Sequence, residues 1–184
     1  MPGERRIAVV GTSGSGKSTL ARRIGAVLEL PVVELDAINW QPGWRGLSEH
    51  DPELFKARVA KAIAGDSWVS DGNYSEVRDV DIARATDLVW LDYSRTVVMA
   101  RVIRRSFARA LSRREIWPGT GNMERFSMWL DPGHPIRWAW SSHAGRKARY
   151  GELARSQPMH VTVHRLGRPV DADRLIARLA ATPK

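Results

Sequence analysis

The 184-residue chain contains no cysteine, which excludes disulfide scaffolding, thiolate nucleophiles and cysteine-ligated metals. It has no run of about 18 apolar residues, the length a membrane-spanning helix needs. Residues 1–6 lead straight into Ile7-Ala8-Val9-Val10, an apolar run too brief for the core of a secretory signal. The five histidines, His50, His134, His143, His160 and His164, show no metal-ligand spacing. No repeat or low-complexity tract divides the sequence. These absences leave a cytoplasmic, single-domain protein as the expectation, long enough to bury a real core.

One stretch carries specific chemistry. Gly11-Thr12-Ser13-Gly14-Ser15-Gly16-Lys17-Ser18-Thr19 matches G-x-x-x-x-G-K-[ST], a loop that wraps phosphate. Ile7 to Val10 read as a buried strand before it. Leu20, Ile24, Val27 and Leu28 recur with helical spacing after it. Strand, loop and helix are the context that gives the motif meaning. Gly11, Gly14 and Gly16 let the backbone approach phosphate, while Ser13, Ser15 and Thr19 complete the lining. The helix N-terminus adds about half a positive charge at the same spot. Lys17 is placed to reach the β- and γ-phosphates, and the Ser18 hydroxyl to bind Mg²⁺. ATP and Mg²⁺ are the expected cofactors.

The remainder alternates strand-like and helix-like segments. Strands are expected near 31–35, 67–70, 88–91 and 159–166. Helices are expected after Asp51-Pro52, near 76–84, from 95 to 114 with Ser94 as cap, from 136 onward, and after Asp171 as cap. That alternation implies an α/β fold with a parallel sheet covered on both faces. Asp36, Asp71-Gly72-Asn73-Tyr74 and Asp92 then fall just past strand C-termini, where open sheets bind ligands. Asp92 reads better as part of a helix start than as a ligand contact. Residues 39–44 read as a loop whose Trp40 and Trp44 either stack on a planar acceptor or plug a small subdomain.

The net charge of +9 is concentrated. Between residues 95 and 149 stand eleven Arg and one Lys against Glu115, Glu124 and Asp131, so this segment alone accounts for it. A basic block serves a nucleic-acid backbone or a lid closing over phosphates. Residues 115–140 are irregular and hold Trp117, Trp129, Trp138 and Trp140, expected to form a local core. An insert of this kind within a small domain reads as a lid.

Taken together, the loop, Leu35-Asp36 with its two-Trp sequel, residues 68–74, Leu91-Asp92, the Arg-rich helix, Glu115-Ile116-Trp117 with Gly121-Asn122 and Glu124, and His164-Arg165-Leu166 resemble the nucleoside-monophosphate-kinase branch of the P-loop proteins. More narrowly, they are similar to the adenylate-kinase-like DNA topology modulation proteins. The resemblance implies a nucleotide-kinase-like three-layer fold, with a five-stranded parallel sheet and a helical, Arg-rich lid. It implies an acceptor-binding segment over about 36–65 and a lid over about 113–148. By that likeness Asp71 holds Mg²⁺ through water. Arg101 packs near the adenine, Arg105 touches phosphates, and Arg168 lies by the adenine in the loop after the last strand. Where adenylate kinases carry Asp-Gly-Phe-Pro-Arg, this chain has Asp71-Gly72-Asn73-Tyr74, so the arginine that reads AMP has no counterpart.

The expected activity is transfer of the γ-phosphate of ATP to a small acceptor: a nucleotide, nucleoside or other hydroxyl compound. Lys17, Arg105 and Arg146 neutralise the moving group, and Asp36 either takes the proton of an acceptor hydroxyl or supports Mg²⁺. Asp36, Trp40, Trp44 and residues 71–74 line the acceptor side. Two other readings remain at this stage. One is a nucleic-acid-binding P-loop ATPase using residues 95–149, and the other a polynucleotide end kinase. Nucleic acid is possible but not favoured as a partner, and oligomeric state is not specified.

Overall fold

A computed structural model describes residues 4–181. In chain order its elements are β1 (Arg6–Gly11), α1 (Lys17–Leu28), β2 (Val32–Glu34), α2 (Leu35–Asn39), β3 (Trp40–Gln41), β4 (Arg45–Gly46), α3 (Leu47–His50), α4 (Pro52–Ala62), β5 (Trp68–Asp71), β6 (Asp87–Leu91), α5 (Arg95–Ser112), α6 (Pro135–Arg155), β7 (Thr162–Leu166) and α7 (Pro169–Ala181). Short 3₁₀ turns fill 42–44, 75–77, 82–84 and 126–130.

Five strands form one sheet in the order β2-β5-β1-β6-β7, and all their pairings are parallel. Helices cover both faces, so the inner strands have no polar side to offer. Ile7 to Gly11 and all of β5 and β6 are accordingly buried. On one face Ile7, Val9, Val89 and Leu91 pack with Leu20 and Ile24 of α1, Val98 and Val102 of α5, and Leu175 and Leu179 of α7. On the other, Ala8, Val10, Leu88 and Trp90 meet Tyr150 of α6. A third cluster, Leu35, Leu47, Phe55, Val59, Ile63, Trp68 and Val77, supports the segment after β2.

Local signals explain most boundaries. The Asp51 carboxylate accepts the Leu54 N–H at 3.0 Å and starts α4. Ser94 accepts the Val97 N–H at 3.4 Å at the head of α5. Differences from expectation have equally local causes. Residues 39–44 are not a plain loop: residues 40–44 belong to a small antiparallel hairpin of β3 and β4, with Trp40 opposite Gly46, and α3 follows. Two-residue strands carry no readable alternation. The expected helix near 76–84 is two 3₁₀ turns. The last helix begins at Pro169, so Asp171 lies inside its first turn, where its carboxylate accepts the Arg168 N–H at 2.8 Å.

The strand register brings Gly11, Glu34, Asp71, Leu91 and Leu166 to the same edge of the sheet. The loop that opens α1 lies at that edge.

Candidate active site

The phosphate loop is shaped by backbone and held by α5. Gly14 has φ 83° and Gly16 φ 98°, left-handed values that a side chain disfavours. Space forbids one as well, since a Cβ on Gly14 would stand 2.7 Å from Val102 Cβ. No side chain caps α1 at Gly16, which leaves its first turn open to an anion. Arg101 of α5 donates to the Ser15 carbonyl at 2.6 Å, and its guanidinium lies 5.0 Å from the Tyr93 ring centroid. The Lys17 ammonium bends back to the Thr12 carbonyl at 3.4 Å.

Asn73, expected on the acceptor side, is bonded to the start of this loop. Its Oδ1 accepts the Gly11 N–H at 3.2 Å and its Nδ2 donates to the Gly11 carbonyl at 2.5 Å. The side chain thus mimics a strand partner just where β1 leaves the sheet.

Charge converges around Lys17. Burial pushes its ammonium below the ordinary lysine value; Asp71 and Asp36 oppose this, while Arg146 and Arg105 add to it. Burial likewise raises Asp71, against the pull of Lys17 and a hydrogen bond from Ser18. Asp71 Oδ1 is buried without a hydrogen-bond partner. Arg105 is in the same condition: burial and Arg109 lower it to about 10, and its buried Nε has no partner. Buried polar atoms are rarely left unmatched, and these two lie among the charges that converge on Lys17.

The pair Ser18–Asp71 fits Mg²⁺. A hydroxyl near a carboxylate that has an unmatched buried oxygen supplies hard donors. Among the described residues no cluster of three or more His, Cys, Asp or Glu could cage a metal. An ion here would keep waters and phosphate oxygens as its other ligands, as Mg²⁺ does.

Asp36 sits in α2, exposed to the cleft, where Tyr74 donates its hydroxyl proton to Oδ1 at 2.6 Å. Burial and the facing carboxylate raise Tyr74, so it remains a donor throughout the physiological range. Above this acid, Trp40 and Trp44 are half-buried and joined by Trp117, with ring centroids 6.0 to 6.1 Å apart. Asn122 fastens the three together: its Oδ1 accepts the Trp44 N–H at 3.0 Å, its Nδ2 donates to the Gln41 carbonyl at 2.9 Å, and its carbonyl accepts the Ile116 N–H at 2.9 Å.

The four tryptophans of 115–140 do not make one local core. Trp117 joins the hairpin, Trp129 packs with Phe126 and His134, and Trp138 and Trp140 are exposed under Arg146 and Arg95. A tryptophan's ring suits either a core or a cation, and composition alone does not choose. The order in this segment comes instead from Glu124, buried and hydrogen-bonded at 2.9 Å to His134 Nε2, whose Nδ1 accepts the Ile136 N–H that starts α6.

The strand edge, the phosphate loop and the Arg-bearing α5 together decide the architecture. The fold is that of the P-loop kinases. The solved shikimate kinase of Acinetobacter baumannii, in complex with shikimate, superposes with a TM-score of 0.58 at 15% identity, covering 95% of this chain and 90% of that one. A gluconokinase from Sinorhizobium meliloti gives 0.53 at 19%, over 96% and 94%. A sugar kinase from Janibacter sp. HTCC2649 gives 0.52 at 21%, over 95% and 91%. In sequence the chain is 32% identical to a shikimate kinase of Bradyrhizobium diazoefficiens, over 56% of this chain and 56% of the relative. The chain thus matches about half the length of that curated relative. No family profile matches it. No helix among the described residues is long and apolar enough to cross a membrane.

Within this P-loop kinase fold the remaining expected residues are placed as follows. Arg146 acts on Lys17, stacks 5.4 Å over Trp138 and donates to Tyr150 Oη at 3.3 Å. Arg168 is exposed and sits 3.8 Å from Asp171. Asp92 is buried and holds Arg165 at 2.6 Å and Lys147 at 3.1 Å, a structural tie between β6, β7 and α6. Gly72 packs on Leu35 and has no room for a side chain. Sequence reading marked Asn122 only as part of the Gly121-Asn122 resemblance, without its role, and did not single out Arg109.

Proposed function

We propose that this protein transfers the γ-phosphoryl group of Mg·ATP to a hydroxyl of a small acceptor bound beside Asp36. One observation carries the reading: Asp36, Asp71, Arg105 and Arg146 all act on the Lys17 ammonium at the end of a phosphate loop. Two acids and three cations around one point suit a reaction that needs a proton acceptor, a metal anchor and charge neutralisation.

The roles follow from position. The loop backbone and Lys17 hold the β- and γ-phosphates. Ser18, and Asp71 through water, hold Mg²⁺, which screens phosphate charge when bound. Tyr74 fixes one oxygen of Asp36 and leaves the other for the acceptor hydroxyl. As the acceptor oxygen bonds to γ-phosphorus, its proton passes to Asp36, the bond to the β-bridging oxygen breaks, and ADP leaves. Arg105 and Arg146 meet the charge spread over the equatorial oxygens. A positioned arginine of this kind contributes about 10³–10⁵ in rate. Trp40, Trp44 and Trp117 wall the acceptor side, and residues 113–148 serve as the lid. The hydroxyl acceptors named in the relatives agree with a base at Asp36, since transfer to a phosphate would need none.

The test is ADP formation with Mg·ATP across a panel of nucleoside monophosphates, nucleosides, polyols and hydroxy acids. At least one class should raise turnover about tenfold or more above the water blank. A flat panel would remove the reading.

A further inference from the structure

Arg109 has no role in the scheme above, yet its placement is specific. Arg101, Arg105 and Arg109 recur at four-residue spacing on α5, so they share one face of the helix. Arg101 touches the loop carbonyl of Ser15, and Arg105 acts on Lys17. Each further step of four residues advances about 6 Å along the axis. Arg109 therefore stands about 6 Å farther along the α5 axis than Arg105.

Its surroundings agree. The charges that act most on Arg109 are Glu124, Asp36, Arg22 and Glu34, while burial lowers its guanidinium. Every acid in that set already has a partner. Glu124 is bound by His134, Asp36 by Tyr74, and Glu34 by Arg22 at 2.7 and 3.0 Å. Among the described residues Arg109 has no carboxylate oxygen within 4.0 Å. A half-buried guanidinium without a counterion is costly, and its planar fork matches carboxylate or phosphate oxygens.

We infer that Arg109 anchors an anionic substituent of the acceptor, which makes the acceptor a small hydroxyl compound bearing a carboxylate or a phosphate monoester. The inference rests on the phosphotransfer reading for the identity of the ligand, but the anion site is measurable by itself. With the anion at Arg109 and a hydroxyl at Asp36, two points fix the acceptor under the Trp40, Trp44 and Trp117 wall.

The probe is inorganic phosphate, titrated into protein whose loop is already filled by Mg²⁺ and a non-hydrolysable ATP analogue, with tryptophan fluorescence as readout. A parallel titration uses acetate. The loaded wild type should show a saturable response to at least one anion, and the stronger one tells phosphate-bearing from carboxylate-bearing acceptors. Arg109→Gln should weaken that anion about tenfold or more, the range for losing a charged hydrogen bond. Arg109→Lys should recover part of the loss, and Arg104→Gln, an exposed arginine on the same helix, should change binding less than about twofold. No saturable response to either anion in loaded wild type overturns the inference, as does an Arg109→Gln protein that binds the anion like wild type. Anion binding through Arg109 in a protein that transfers no phosphoryl group would strike the phosphotransfer reading and leave the anion site standing.

Discussion

The two halves of the cleft are built in different ways. The donor half, residues 11–19, is made of backbone: positive-φ glycines, an open helix start, and Asn73 and Arg101 bonded to main-chain atoms. The proposed acceptor half is made of side chains: Asp36 held by Tyr74, three tryptophans fastened by Asn122, and Arg105, whose buried Nε has no partner. A backbone cradle recognises any triphosphate tail. A side-chain pocket changes with each substitution, which is where a family of kinases varies its acceptor. This chain shares its fold with a shikimate kinase, a sugar kinase and a gluconokinase at 15 to 21% identity.

Breaking the donor half should have the largest effect. Lys17→Met should reduce phosphoryl transfer by about three orders of magnitude or more, as the principal contact to the β- and γ-phosphates is lost. Its effect on the empty protein has the opposite sign. Burial disfavours the charged ammonium, so the folded state carries a cost wherever Lys17 is protonated, and the variant's melting temperature without nucleotide should match or exceed wild type. Nucleotide should then raise it less than in wild type. A large loss of stability in the empty variant would show that Lys17 holds the loop together by itself.

Arg105→Gln probes the contact between the halves. Its kcat should fall about 10²–10³-fold with a smaller change in nucleotide affinity, because its charge is matched best in the transition state. Equal loss in both parameters would make it an ordinary nucleotide contact.

Asn122→Ala sharpens the contrast from the acceptor side. It removes two hydrogen bonds to the hairpin, at a cost of about 1–3 kcal/mol in stability, and should raise the acceptor KM while sparing nucleotide binding. Unchanged acceptor KM would mean the tryptophan wall is held without the lid.

The smallest effect concerns β5. Asp81 is buried beneath the site, accepts a hydrogen bond from Ser70 at 2.6 Å and is raised to about 6 by burial. A carboxyl with a raised folded-state value holds its proton longer when folded than unfolded. The contribution of Asp81 to stability should therefore fall as pH rises from about 4 to 6, by up to about 3 kcal/mol, and level off above. Asp81→Asn should flatten that part of the melting curve against pH, and an unchanged slope would assign it to another group.

The same contrast explains what the sequence made legible. The loop, the central strands and the Asp51 and Ser94 helix starts follow from glycine spacing, apolar runs and capping side chains, all local rules. The expected five-stranded sheet and the roles of Arg101 and Arg105 come instead from the family resemblance, and the sheet has five strands. The acceptor half depends on contacts between segments about 80 residues apart, such as Trp44 with Asn122. No local pattern announces these. Asn73 shows the limit most clearly: its position past a strand end suggested ligand contact, yet its amide is engaged by Gly11. Arg109 carries no mark in the sequence, and only the folded chain brings its charge within reach of Glu124 and Asp36.

The central claim is that the group held by the loop moves to a hydroxyl beside Asp36. It is tested most directly with γ-labelled ATP, Mg²⁺ and small anionic hydroxyl compounds, comparing wild type with Asp36→Asn. The account predicts label covalently attached to an acceptor in wild type, and about 100-fold less in the variant with nucleotide binding retained. Label released only as inorganic phosphate, or transferred equally well by Asp36→Asn, would contradict it.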